Sequence, residues 1–163
     1  MYTVLLVDDE RSVIDSLKSE IPWENLGVKT IYTASDGLQA LDLIHAHSID
    51  LLITDIRMPR MDGLELLSTL RKENSQVHCI LLTAYGEFEY AKQAFSLGVE
   101  NYLLKPMQTQ ELMQSVENAL ENLYANRKNR SDLFRENILR RWLLGSISSD
   151  ELGEKTIYLD INI

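Results

Sequence analysis

Val4-Leu5-Leu6-Val7-Asp8-Asp9 is an apolar run that stops at two adjacent carboxylates, and the same kind of stop recurs along the chain. Leu51-Leu52-Ile53 leads through Thr54 to Asp55, Ile80-Leu81-Leu82 ends at Thr83, and Tyr102-Leu103-Leu104 ends at Lys105. A further run, Ile31-Tyr32, closes at Ser35-Asp36. The first, third and fourth runs are apolar on consecutive residues rather than alternating, which is the pattern of strands covered on both faces. As parallel strands of one sheet they bring three carboxylates, one hydroxyl and one ammonium to a single edge. That edge is where open α/β sheets bind their ligands.

The runs begin near residues 3, 28, 50, 77 and 100, an interval of 22 to 27 that fits strand, turn, helix and turn repeated. Apolar residues recur at helical spacing between them: Val13, Ile14, Leu17 and Ile21, then Leu38, Leu41 and Ile44, then Leu64, Leu67 and Leu70. Phe88, Ala91, Ala94, Phe95 and Leu97 form a fourth set, and Leu112, Val116, Ala119, Leu120 and Leu123 a fifth. Right-handed crossovers then predict a doubly wound, five-stranded parallel sheet in the order 2-1-3-4-5. In that order the topological switch point falls between strands 1 and 3, the strands that carry Asp8, Asp9 and Asp55. From Gln108 the helical pattern continues through a basic, polar middle to Phe134, Ile138, Leu139, Trp142 and Leu143, an extended C-terminal helix. Gly145-Ser146 reads as its stop, with a second start near Ser149-Asp150-Glu151.

A chain of 163 residues holds one domain with an appendage. The single Cys79 excludes a disulfide framework and reads as a buried, reduced thiol. No basic leader precedes Tyr2, and no apolar stretch approaches the ~20 residues of a membrane helix, so a soluble, cytoplasmic protein with no membrane contact is expected. Residues 1–125 carry 9 Lys/Arg against 19 Asp/Glu, whereas 126–163 carry 7 against 6. An acidic domain repels phosphate backbones, so the first 125 residues are not expected to bind nucleic acid.

The strand-end residues suit a divalent cation and a phosphoryl group. Two ionised carboxylates about 4 Å apart repel by roughly 4 kcal/mol at an effective dielectric near 20, and three together call for a cation. Carboxylate oxygens select hard ions, and few protein ligands with several waters suit Mg²⁺. Neither Cys nor His stands at these positions, which argues against zinc. The Thr83 hydroxyl, the Ala84 N–H and the Lys105 ammonium are donors for a phosphoryl group. One carboxylate is then the nucleophile of an acyl phosphate, and Asp55, alone on its strand end, is the best placed. Each residue also has a plainer reading. Asp8 or Asp9 could cap the following helix, Asp36 and Asp62 precede glycines and read as turns or caps, Thr83 could cap a helix, and Lys105 could be a loop lysine. Capping does not explain why the set shares one edge.

Val4-Leu5-Leu6-Val7-Asp8-Asp9-Glu10, Asp55-Ile56-Arg57-Met58-Pro59-Arg60-Met61-Asp62-Gly63, Leu82-Thr83-Ala84 and Tyr102-Leu103-Leu104-Lys105-Pro106 resemble the receiver domain of two-component response regulators, over residues 1–125. The resemblance implies a CheY-like, flavodoxin-like fold in which Asp55 accepts a phosphoryl group from a sensor histidine kinase. It implies Asp9 as a direct Mg²⁺ ligand, Asp8 through water, and the backbone carbonyl of Arg57 as the third protein ligand. Lys105 would pair with the phosphoryl group, Thr83 would move towards it, and Tyr102 would be the aromatic switch. The Lys105–Pro106 bond would be cis. Tyr85-Gly86-Glu87-Phe88-Glu89-Tyr90-Ala91-Lys92, Leu97-Gly98-Val99-Glu100-Asn101-Tyr102 and Pro22-Trp23 are similar to the YesN-like regulators of Gram-positive bacteria, whose AraC-type DNA-binding helix-turn-helix pair does not occur in this sequence. Residues 126–163 then correspond to a helical linker and the start of a downstream region. Arg57 and Tyr85 occupy the second positions after the phosphoacceptor and the switch threonine, and both are bulky, so slow self-dephosphorylation is expected.

Val116, Leu120, Leu123, Arg127, Arg130, Phe134 and Asn137 follow a 3-4 rhythm, apolar only at its ends. Phe134, Ile138 and Trp142 need burial against a further domain or in a dimer. The resemblance also points to the fourth helix, fifth strand and fifth helix, around Tyr90, Phe95, Tyr102 and Met113, as the face that in receivers commonly carries the phosphorylation-dependent dimer contact. The leading expectation is a signal-receiving switch rather than an enzyme, controlling a transcription-factor output domain that alone would contact DNA. A stand-alone receiver in a phosphorelay is the alternative. An aspartyl-phosphate phosphatase fits less well, because such hydrolases carry an Asp-x-Asp nucleophile on the first strand, and Asp8-Asp9 are adjacent.

Overall fold

The computed structural model describes residues 1–84 and 86–143, with Phe134 and residues 137–143 described by backbone alone. Strands β1 (Tyr2–Val7), β2 (Val28–Ala34), β3 (Leu51–Asp55), β4 (His78–Thr83) and β5 (Asn101–Leu104) alternate with helices. These are α1 (Arg11–Glu20), α2 (Gly37–Ala46), α3 (Gly63–Lys72), α4 (Phe88–Ser96) and α5 (Thr109–Leu143), with a 3-10 turn at Trp23–Leu26. The strands form one parallel sheet in the order β2-β1-β3-β4-β5, as expected from the spacing of the apolar runs.

The consecutive apolar residues are buried on both faces of the sheet. Leu5, Val7, Leu52, Cys79 and Leu81 share a core with Ala40 of α2, Leu64, Leu66, Leu67 and Leu70 of α3, and Ala94 of α4. Side chains alternate along a strand, so Val4, Leu6, Leu51, Ile53, Ile80 and Leu82 point the other way, and they are equally buried. Ile14 and Leu17 of α1 and Leu112, Val116 and Ala119 of α5 are likewise buried. Full burial of a leucine contributes ~1.5–3 kcal/mol, so the central strands and α3 carry much of the stability. Cys79 is fully buried, and burial pushes its thiol pKa up to about 12, which leaves it an inert core residue.

Two expected helix faces are corrected. Leu38, Phe88 and Phe95 recur at helical spacing with their neighbours, yet they are 42%, 76% and 59% exposed. In α4 the line that meets the core is Tyr90, Ala94 and Leu97, and only Ala94 is fully buried. Phe88 and Phe95 also lie seven apart, so a second stripe with the same period runs beside the first. Periodicity cannot tell which of two such stripes faces inward.

Contacts divide the chain into two compact units, residues 1–121 and residues from 122 onward, and α5 belongs to both. Among the described residues no helix is long and apolar enough to cross a membrane.

Candidate functional site

β1 and β3 pair directly, with Val7 opposite Thr54, so Asp8 and Asp55 leave neighbouring strand ends at the switch point. One carboxylate oxygen each from Asp8, Asp9 and Asp55 lies within 4.8 Å of the others. Asp8 and Asp55 are buried, and Asp9 is exposed. β4 places Thr83 beside this group with no exposed surface, and the Lys105 N–H donates to the Thr83 carbonyl at 2.8 Å. β1, β3 and β4 thus end side by side at one edge of the sheet.

Lys105 crosses the whole site. Its Nζ donates to Asp8 Oδ2 at 2.7 Å and to Asp55 Oδ2 at 3.2 Å. Burial opposes the Lys105 charge, but the hydrogen bond to Asp8 and the charges of Asp55 and Asp8 outweigh it and hold the ammonium above its ordinary pKa. Burial pushes the Asp55 carboxyl up; Lys105 opposes that rise and the Asp8 charge adds to it. Two carboxylates and one ammonium at hydrogen-bond distance leave net negative charge, and Asp9 adds to it. The donor set is oxygen only, clustered and partly open, which fits a hard divalent cation.

The side chains are held by the local backbone. Asp55 Oδ1 accepts the Ile56 N–H at 2.7 Å, and Asp8 Oδ1 accepts the Glu10 N–H at 2.9 Å. The β3–α3 loop returns close to the site, with the Gly63 N–H donating to the Ile56 carbonyl at 2.7 Å. A Cβ on Gly63 would collide with the Asp55 carbonyl oxygen, so only glycine allows that approach. The Lys105–Pro106 peptide is cis.

Asp36 and Asp62 act as caps, as expected of an aspartate before glycine. Asp62 and Glu65 make a reciprocal capping box for α3, and Asp36 Oδ1 accepts the Gln39 N–H at 2.9 Å. Asp36 does more than cap, because Oδ2 pairs with Arg60. The Gln39 amide, then Arg60, hold its carboxyl below the ordinary range against the cost of burial. Nothing in the sequence links positions 36 and 60; the pair exists only because two loops are adjacent in space.

A second contact was equally hidden. Arg57 Nη2 donates to the Tyr90 hydroxyl at 2.7 Å, lies 5.5 Å from the centre of that ring, and is 3.7 Å from Glu87. The loop after Asp55 is thereby tied to the start of α4. Tyr85, expected with Arg57 to flank the path of water, lies outside the described residues. Tyr102 is part-buried on β5; burial, then the nearby Glu87 and Tyr90, raise its phenol pKa.

A model of the response regulator receiver domain matches residues 4–117. The chain belongs to the response regulator receiver family. This receiver is 42% identical over 123 residues to the transcriptional regulatory protein YesN of Bacillus subtilis (strain 168), a match covering 76% of this chain and 33% of that protein. It is 45% identical over 112 residues to the transcriptional regulatory protein HptR of Staphylococcus aureus (strain NCTC 8325 / PS 47), covering 69% and 44%. The chain thus spans between a third and a half of the length of these curated relatives. Among solved structures it is similar to the receiver domain of AraT, a response regulator from Geobacillus stearothermophilus, at 36% identity and a TM-score of 0.72, covering 77% of this chain and 98% of that one. A two-component transcriptional regulator AraC from Clostridium phytofermentans gives 31% identity and a TM-score of 0.72, covering 78% and 98%. The fold is the CheY-like one that the resemblance implies, with a long C-terminal helix.

Proposed function

We propose that this receiver is the phosphorylation-controlled input of a transcriptional regulator, with Asp55 as phosphoacceptor and Mg²⁺ held by Asp8, Asp9, Asp55 and the Arg57 backbone carbonyl. The observation that carries the proposal is the junction at the switch point. There the three carboxylates converge within 4.8 Å, and Lys105 bridges Asp8 and Asp55. When bound, the cation supplies positive charge that offsets the carboxylates and the incoming phosphoryl oxygens.

Asp55, alone on its strand end beside the Asp8-Asp9 pair, is the nucleophile, with one oxygen held by the Ile56 amide and the other by Lys105. A new O–P bond forms at Asp55 while the P–N bond of the kinase phosphohistidine breaks, and the imidazole leaves with that bond's electron pair. Lys105 then exchanges its carboxylate partners for phosphoryl oxygens, with the Thr83 hydroxyl and the Ala84 N–H as further donors. The chain acts as a switch rather than as a turnover enzyme: the product of the transfer is the modified protein itself.

Thr83 and Tyr102 repack on phosphorylation and change the face formed by α4, β5 and the start of α5. Phe88, Phe95 and Leu104 are exposed there, which supports a homodimer contact on that face. The extended α5 is the other candidate for self-association. Residues 1–125 are the receiver proper and 126–163 a linker region. The protein is cytoplasmic, its partner is a sensor histidine kinase, and DNA contact belongs to an output domain like those implied by the relatives' names. The test is incubation with a small phosphodonor followed by intact-mass measurement. One phosphoryl group should be gained, and the gain lost in Asp55→Ala and in Mg²⁺-free buffer. Labelling that persists in Asp55→Ala would overturn the assignment.

A further inference from the structure

On the Mg²⁺ reading above, the loop between β3 and α3 supplies the Arg57 carbonyl as a ligand, so whatever holds this loop also sets the shape of the metal site. Its middle is fastened to the start of α2. The Gly37 N–H donates to the Met61 carbonyl at 3.0 Å. A Cβ on Gly37 would lie 2.6 Å from both that oxygen and Met61 Cγ, so the two loops are as close as backbone allows. Immediately before Met61, Arg60 adopts φ +66°, a left-handed conformation unfavourable for a residue with a Cβ. Its guanidinium pairs with Asp36, whose side chain is 2% exposed.

Capping does not account for this arrangement. An N-cap needs one acceptor oxygen, and Ser, Thr or Asn supplies it without burying a charge. Asp36 caps α2 with Oδ1 and leaves Oδ2 for Arg60. A buried carboxylate is costly unless it is paired, and a left-handed arginine persists only where its surroundings require it. The Gln39 amide and the Arg60 guanidinium together satisfy the buried Asp36 carboxylate. The Asp36–Arg60 pair pins the loop three residues beyond Arg57.

We propose that the Asp36–Arg60 ion pair is a positioning latch: through the loop backbone it fixes the Arg57 carbonyl and so sets both the affinity of the acidic site for Mg²⁺ and its selectivity for Mg²⁺ over Ca²⁺. The inference rests on the Mg²⁺ reading above. Mg²⁺ demands near-ideal octahedral geometry, whereas Ca²⁺ accepts more ligands at longer and more variable distances. A loop held tightly favours the smaller ion, and a released loop still serves the larger one.

The test is calorimetric titration of the full chain with Mg²⁺ and, separately, with Ca²⁺. Asp36→Asn keeps a cap and removes the charge, and Arg60→Gly removes the partner while relaxing the left-handed backbone. Arg60→Lys keeps the charge. We expect Asp36→Asn and Arg60→Gly each to weaken Mg²⁺ binding by about 10-fold, the low end for groups that orient metal ligands, with Ca²⁺ binding little changed. Arg60→Lys should fall between them and wild type. Folded variants with unchanged Mg²⁺ affinity would overturn the latch, as would an equal loss for both ions. A wild-type chain that binds neither ion would instead overturn the Mg²⁺ reading on which the latch rests.

Discussion

α3 and α4 are successive helices of 10 and 9 residues, both packed on the same core, and they are held in opposite ways. α3 buries Gly63, Leu64, Leu66, Leu67 and Leu70 and starts at a reciprocal capping box. α4 buries Ala94 alone, starts at Glu87 without a side-chain cap, and exposes Phe88 and Phe95. Polar contacts hold it instead. Arg57 ties its N-terminal end through Tyr90 and Glu87, and Arg71 Nε donates to the Leu97 carbonyl at its C-terminal end. Half-exposed ion pairs contribute little each, whereas buried leucines contribute much. α3 is firmly packed beside the site, whereas α4 has few buried apolar contacts and is expected to open locally more readily.

The widest gap between the two helices should appear in large-to-small substitutions. Leu67→Ala is expected to cost about 3 kcal/mol in urea unfolding, while Phe95→Ala should stay within about 0.5 kcal/mol, as exposed positions do. Comparable losses would erase the distinction. A smaller effect is expected at the helix starts. Asp62→Ala removes half of the capping box and should cost ~1 kcal/mol, whereas Glu87→Ala removes no cap from α4 and should cost a few tenths at most.

Asp55 stands at the end of β3 before the loop into α3. Burial, with the Asp8 charge, raises its pKa in spite of Lys105. A carboxyl raised in the folded state opposes folding once the unfolded chain has released its proton. Stability attributable to Asp55 therefore falls as pH rises above the ordinary value of about 4, and the deficit is complete above the folded value. Asp55→Asn should raise the Mg²⁺-free denaturation midpoint at neutral pH, with the gain vanishing below the ordinary carboxylate range. A midpoint that does not move at neutral pH would contradict the raised value.

The contrast between α3 and α4 also marks where sequence reading stops. The strand ends were legible because an apolar run that halts at a charge is a one-dimensional signal, and the switch point follows from strand order alone. Asp62 before Gly63 was legible for the same reason, since capping acts within four residues. The exposure of Phe88 and Phe95 was not, because α4 carries two stripes of equal period and only the packing selects one. Arg57 with Tyr90, and Arg60 with Asp36, join residues 33 and 24 apart. Long polar side chains carry no periodicity that would place them opposite one another. The Lys105 bridge was half legible: its place at the strand end was, but its pairing with both Asp8 and Asp55 depends on the register of three strands.

Hydrogen exchange read across α3 and α4, before and after treatment with a small phosphodonor and Mg²⁺, tests the central claim most directly. The account predicts that α4 amides exchange faster than α3 amides at the outset. Phosphorylation should then change protection in α4 and β5, leave α3 unchanged, and do neither in Asp55→Ala. An α3 that responds as much as α4, or a response that survives in Asp55→Ala, would contradict it.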